Sequence, residues 1–190
     1  MKNVVLASVF SALSLCSLAQ FEFKHDSIEK RNKRDINDID ALHQVIGKGD
    51  FQLLFWMLPG QEDRGTLLVL TNKDQQWQAR YFERQKEDGR LIWKEIPVSQ
   101  QGIEALWKGP QENDVLHINS SENIKDLSFH PVEGGVLYYF ELLDKKGKRG
   151  YYYHCPRHQQ QYSNHKEFSR IINMIQLINN FTQEKQKRIC

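Results

Sequence analysis

Residues 77–98 read Trp-Gln-Ala-Arg-Tyr-Phe-Glu-Arg-Gln-Lys-Glu-Asp-Gly-Arg-Leu-Ile-Trp-Lys-Glu-Ile-Pro-Val. Successive side chains of an extended chain point to opposite faces. Trp77, Ala79 and Tyr81 therefore share one face, and Gln78, Arg80 and Arg84 fall on the other. Asp88-Gly89 in the middle is the strongest short hairpin signal in the chain, because both residue types tolerate the positive φ of a tight turn. The stretch 91–98 then returns as the paired strand.

The same grammar extends upstream. Residues 51–58 (Phe-Gln-Leu-Leu-Phe-Trp-Met-Leu) are apolar on both faces, as a central strand requires, and Pro59-Gly60 ends the run. Residues 66–71 form a second β-rich run, and Asn72-Lys73-Asp74 makes a turn. Links this short and polar exclude parallel neighbours, which need long crossovers, so these strands form an antiparallel meander. Downstream, 136–143 and 151–155 flank Lys145-Lys146-Gly147-Lys148-Arg149-Gly150, a hairpin with a basic tip. A brief strand at 115–118 brings the expected sheet to six or seven strands, and 119–135 reads as loop.

Three helices complete the pattern. Asp35 opens an N-terminal one through Ile36, Ile39, Leu42 and Ile46, ended by Gly47 to Gly49. Ser99 is placed to cap a short middle helix carrying Ile103, Leu106 and Trp107, with Gly109-Pro110 as its stop. Phe168, Ile171, Ile172, Ile175, Ile178 and Phe181, widened by Met174 and Leu177, mark one face of a long C-terminal helix that should dock on a sheet. The expectation is an α+β fold, meander plus hairpin packed by these helices, in one domain over 35–182 with no internal repeat.

The two ends carry different information. Residues 1–19 combine Lys2, an apolar run over 4–18 and the small-x-small close Ser17-Leu18-Ala19, the pattern of a secretory signal peptide. About 15 apolar residues fall short of the roughly 20 that a spanning helix needs, so no transmembrane segment is expected in the mature chain. Cys16 offers an alternative, a lipid-anchored N-terminus, although Leu15 occupies a position where that pattern wants Gly, Ala or Ser. Residues 20–34 read as a charged lead-in, expected to be flexible, ending in Lys30-Arg31-Asn32-Lys33-Arg34, and 183–190 read as a basic tail. Removal of 19 residues leaves 171, with a formal charge of +1 and two cysteines, Cys155 and Cys190. Export allows one disulfide between them, closing a 35-residue loop. Such a closure stabilises by roughly 3–4 kcal/mol on the chain-entropy estimate.

Composition narrows the function classes. Ile, Leu, Val and Phe number 52 of 190 residues, enough for a folded core. The balance of 26 basic against 24 acidic residues carries no basic excess and argues against nucleic acid as a partner. His154, Cys155 and His158, with His165 beyond, have the right donors for zinc but not its spacing, and strand neighbours point to opposite faces. No metal or cofactor is expected. No nucleophile elbow, dinucleotide fingerprint or phosphate loop is present in the sequence, and no carboxylate pair is singled out.

The sequence therefore reads as an exported domain, secreted or periplasmic, that acts without catalysis as a binding or envelope accessory protein. The alternative is an exported hydrolase whose site forms only in three dimensions. A partner, protein or glycan, would meet the 136–155 hairpin through outward tyrosines Tyr139 and Tyr152 and through Lys145, Lys146, Lys148 and Arg149.

Overall fold

The computed structural model describes residues 42, 45–60, 64–128, 130 and 132–182. Among these residues six strands form one antiparallel sheet: β1 (Phe51–Pro59), β2 (Gly65–Lys73), β3 (Gln76–Glu87), β4 (Arg90–Ile96), β5 (Val136–Asp144) and β6 (Lys148–His154). Their order across the sheet is β4-β3-β2-β1-β5-β6. The fold is thus α+β, with helices α1 (Ile103–Glu112), α2 (Pro156–Gln160) and α3 (Lys166–Thr182) and a 3-10 turn at Ser121–Asn123.

The central place of β1 explains its two-sided hydrophobicity. Phe51, Leu53, Phe55 and Met57 point to the helices, and Leu54 and Trp56 point away. Trp56 and Leu54 have no exposed surface, and burying a side chain of that size contributes about 1.5–3 kcal/mol. On the helical side α3 presents Phe168, Ile171, Met174, Ile175 and Ile178, and α1 adds Ile103, Leu106 and Trp107. Trp107 stacks on Trp77 at 4.4 Å and meets Phe51 edge-on at 5.1 Å. The opposite face gathers Leu54, Trp56, Leu67, Val69, Phe82 and Tyr139 under Leu42 and Ile46.

Several local expectations need correction. Residues 115–118 are not a strand: the carbonyls of Leu116 and Ile118 accept from the Arg149 guanidinium, so a side chain takes the place of a neighbouring strand. Ser99 does not cap α1. Its hydroxyl accepts from the Gln101 N–H at 3.1 Å, and the helix starts after Gly102, whose φ of 83° needs no side chain. Gly109-Pro110 does not stop α1, which runs on to Glu112. Pro110 gives up the one bond its N–H would make to the Leu106 carbonyl, while the Gly109 and Pro110 carbonyls still accept from the Asn113 and Val115 N–H groups at 2.9 and 2.8 Å. The strand expected to reach Cys155 ends at His154, because Cys155 turns to a φ of 44° and starts the short α2 that the sequence reading lacked. Most of the N-terminal helix expected over 35–46 lies outside the described residues, as do the leader, the lead-in and the tail. No helix among the described residues is long and apolar enough to cross a membrane.

Candidate functional site

The β5–β6 turn is built by one carboxylate. Asp144 Oδ1 accepts from the N–H groups of Lys146 at 2.7 Å and Gly147 at 2.8 Å, and the Asp144 N–H donates to the Gly147 carbonyl. A turn tied in this way projects Lys145, Lys146 and Lys148 into solvent. Lys145 Nζ meets Asp50 Oδ1 at 2.6 Å, and Asp50 Oδ2 accepts from the Asp74 N–H at 3.0 Å. The hydrogen bond from Lys145, then that from Asp74, holds the Asp50 carboxyl below its ordinary range, and Asp50 holds Lys145 above its own. The register pairs Phe51 with both Asn72 and Asp144. The exposed Lys48 and Lys73 therefore emerge at the same end of the sheet as the hairpin tip. Five lysines from three separate chain segments share this end with Asp50, Asp74 and Asp144.

The other members of the expected surface lie elsewhere. Arg149 is only 7% exposed. Its guanidinium turns under the hairpin, donating to Leu116 O at 2.5 Å and to Ile118 O, with the Tyr151 ring 5.8 Å away. A buried guanidinium is tolerated only where carbonyls or anions take its donors, and here two carbonyls do. Tyr139 is also buried, at 8%. It faces away from the helices, directly across from Tyr152, but its ring lies over Gly150, where any Cβ would collide with its hydroxyl. Tyr152 is half-buried, and its backbone is engaged by the Ser121 and Ser120 hydroxyls. On the helical side Tyr151 stacks on Phe140 at 5.0 Å, and the Tyr153 hydroxyl donates to Asn119 O at 2.5 Å. Burial pushes both phenols up, so they stay protonated at neutral pH.

The histidine and cysteine run does not divide between two faces as a continuing strand would: the strand ends at His154, and Cys155 Sγ and the His154 ring both close on the place of the missing Gly135 Cβ. Cys155 has no exposed surface and is disulfide-bonded, while Cys190 lies outside the described residues. His154 is half-buried, and that burial, with His158 nearby, lowers its pKa. His158 and His130 both lean on the Tyr162 ring, at 5.1 and 3.9 Å. Among the described residues no three His, Cys, Asp or Glu side chains come together as a metal site would need.

One constellation escaped the sequence reading. Arg84, Trp93 and Trp56 meet on the face away from the helices, with Arg84 directly across from Trp93. The two indoles contact edge to face at 5.5 Å, and the Arg84 guanidinium lies 5.9 Å from the Trp93 ring. Gly65 makes room for this, since Leu58 and Arg84 Nε close over the place of its missing Cβ, at 3.1 and 3.5 Å. The only available signal was the shared parity of Arg84 and Trp93 on paired strands, with Trp56 on the same face of β1, and it shows once the register is known. Compared with protein-family models and with curated proteins, the chain matches none.

Proposed function

We propose that this chain is an exported, non-enzymatic binding or accessory protein of the cell envelope, and that it meets an anionic protein or glycan through the lysine-bearing end of its sheet. The convergence of Lys145, Lys146 and Lys148 with Lys48 and Lys73 carries the reading. Periodicity alone could collect only the first three. Exposed lysines cost little to desolvate at their rim and steer an oppositely charged partner over the distance of a Debye length, about 8–10 Å. Export is supported by the leader-like residues 1–19 and by the disulfide at Cys155, since such bonds persist in oxidising compartments. Removal of the leader leaves Cys190 as the remaining intrachain partner, which would tie the basic tail to the start of α2.

The test is retention on an immobilised acidic polysaccharide against neutral dextran, comparing the wild-type chain with the triple change Lys145→Ser, Lys146→Ser and Lys148→Ser. The wild type should be retained on the acidic matrix alone and elute with salt, and the triple variant should lose most of that retention. Equal elution of the two proteins would overturn the surface assignment. Intact mass of the secreted protein addresses compartment separately: a chain beginning at Gln20 with no thiol labelled before reduction is expected. A full-length chain with free thiols would remove the export reading.

A further inference from the structure

Arg80 and Arg84 stand four residues apart on β3 and face the same side of the sheet, yet their surroundings differ completely. Arg80 grips Glu95 with two parallel bonds at 2.8 and 2.7 Å and donates to the carbonyls of Val45 and Ile46. Among the described residues Arg84 meets no carboxylate and no carbonyl within hydrogen-bond distance. Its Nε is closed to solvent with no hydrogen-bond acceptor among the described residues, and its guanidinium lies 5.9 Å from the Trp93 ring. The indole N–H groups of Trp56 and Trp93 are likewise buried with no acceptor. In an edge-to-face pair one N–H at most can be directed at the other ring, so at least one indole donor and the Arg84 Nε are left over. A buried donor without an acceptor costs roughly 1–3 kcal/mol, and most buried polar groups in folded proteins avoid this. Here at least two sit in one patch, beside the half-buried outer faces of Arg84 and Trp93.

We infer that Arg84, Trp93 and Trp56 form a binding site for the oxyanion of a small molecule, a carboxylate or a phosphate. The chemistry of the donors sets the class. All three groups only donate, so the complementary group must only accept, and the guanidinium adds a planar fork that fits two oxygens of one anion. Leu58 and the two indoles give the site an apolar floor, which favours an oxyanion attached to a flat or apolar body over a bare hydrated ion. Gly65 keeps the ground beneath Arg84 clear of any side chain. This site lies at the end of the sheet opposite the lysines and does not rest on the reading of that surface.

The four tryptophans supply an internal control. Trp56 and Trp93 belong to the site, whereas Trp77 and Trp107 stack on each other on the helical side. Proton–nitrogen spectra of the indole N–H groups should be followed while the full chain is titrated with benzoate, inorganic phosphate or neutral benzamide. The expected result is a saturable shift of Trp56 and Trp93 with benzoate or phosphate, no such shift with benzamide, and unmoved Trp77 and Trp107. Saturation by benzoate alone assigns a carboxylate on an apolar body, and saturation by phosphate assigns a phosphate. Arg84→Gln should weaken binding at least tenfold, or about 1.4 kcal/mol. Arg80→Gln, which removes an equal charge from the same face, should leave it within twofold. Arg84→Lys keeps the charge without the fork and should bind at an intermediate level, which preserves the test should the glutamine variant fold poorly. Shifts absent with both anions, equal with benzamide, or unaffected by Arg84 would overturn the site and leave water as the only acceptor.

Discussion

The two edges of the sheet are finished in opposite ways. The β6 edge is sealed by the segment that precedes the hairpin in sequence. Ser120 and Ser121 bond to the backbone of Tyr152, Tyr153 reaches Asn119, and Arg149 pins the carbonyls of Leu116 and Ile118. The β4 edge has no comparable cover among the described residues. It presents Arg90, Lys94 and Glu95 to solvent together with Leu91, which is 39% exposed. The contrast shows two solutions to one hazard, since an open row of backbone donors and acceptors invites pairing with another chain. One edge is covered with side chains and loops, and the other is charged.

That comparison breaks most visibly at Arg149. Arg149→Met keeps the stem and its packing but orphans two buried carbonyls, and it should destabilise the fold by about 2–4 kcal/mol. The denaturation midpoint would report this, and a loss under half a kcal/mol would mean that the guanidinium is dispensable to the seal. A smaller effect belongs to His154, at the end of the same strand. Its folded-state pKa lies below the unfolded value, chiefly through burial. The sealed edge should therefore be most stable above about pH 6.5, the unfolded value, and lose stability as pH falls through the lowered one. His154→Gln should flatten the melting temperature between pH 7.5 and 5, in buffers about those values. An unchanged slope would place the pH dependence elsewhere. The smallest change is expected at the open edge. Leu91→Lys should alter stability by no more than about 0.5 kcal/mol, with β4 amides exchanging faster than those of β6 in both proteins. Strong protection of β4 would show that this edge is also covered.

Much of this arrangement was legible from residue order, for identifiable reasons. The Asp88-Gly89 turn and the alternation around it located β3 and β4, and the apolar run 51–58 located the central strand. Such signals are local, and a reader of sequence can use them without knowing what packs where. Arg149 failed because it follows four residues of a basic turn and reads as solvated, although its strand parity turns it inward. Tyr139 failed for a related reason: its burial depends on Gly150 on the next strand, a contact that register alone creates. The Arg84 patch was hidden more deeply. Orphaned donors are defined by acceptors that are missing, and no residue pattern spells out a missing partner.

The place of β1 has a kinetic consequence. Every strand pair but one joins neighbours in sequence through a tight turn or a short loop. The exception is the β1–β5 seam, whose partners stand 77 to 93 residues apart. The four-strand meander and the β5–β6 hairpin are each rich in local contacts, whereas the seam cannot form until a long loop has closed. Folding should be limited by that single closure, and β1 should expose one unpaired, largely apolar edge while it waits. The moment of greatest risk for this chain is then early in its life, when the strand destined for the centre of the sheet is still an edge.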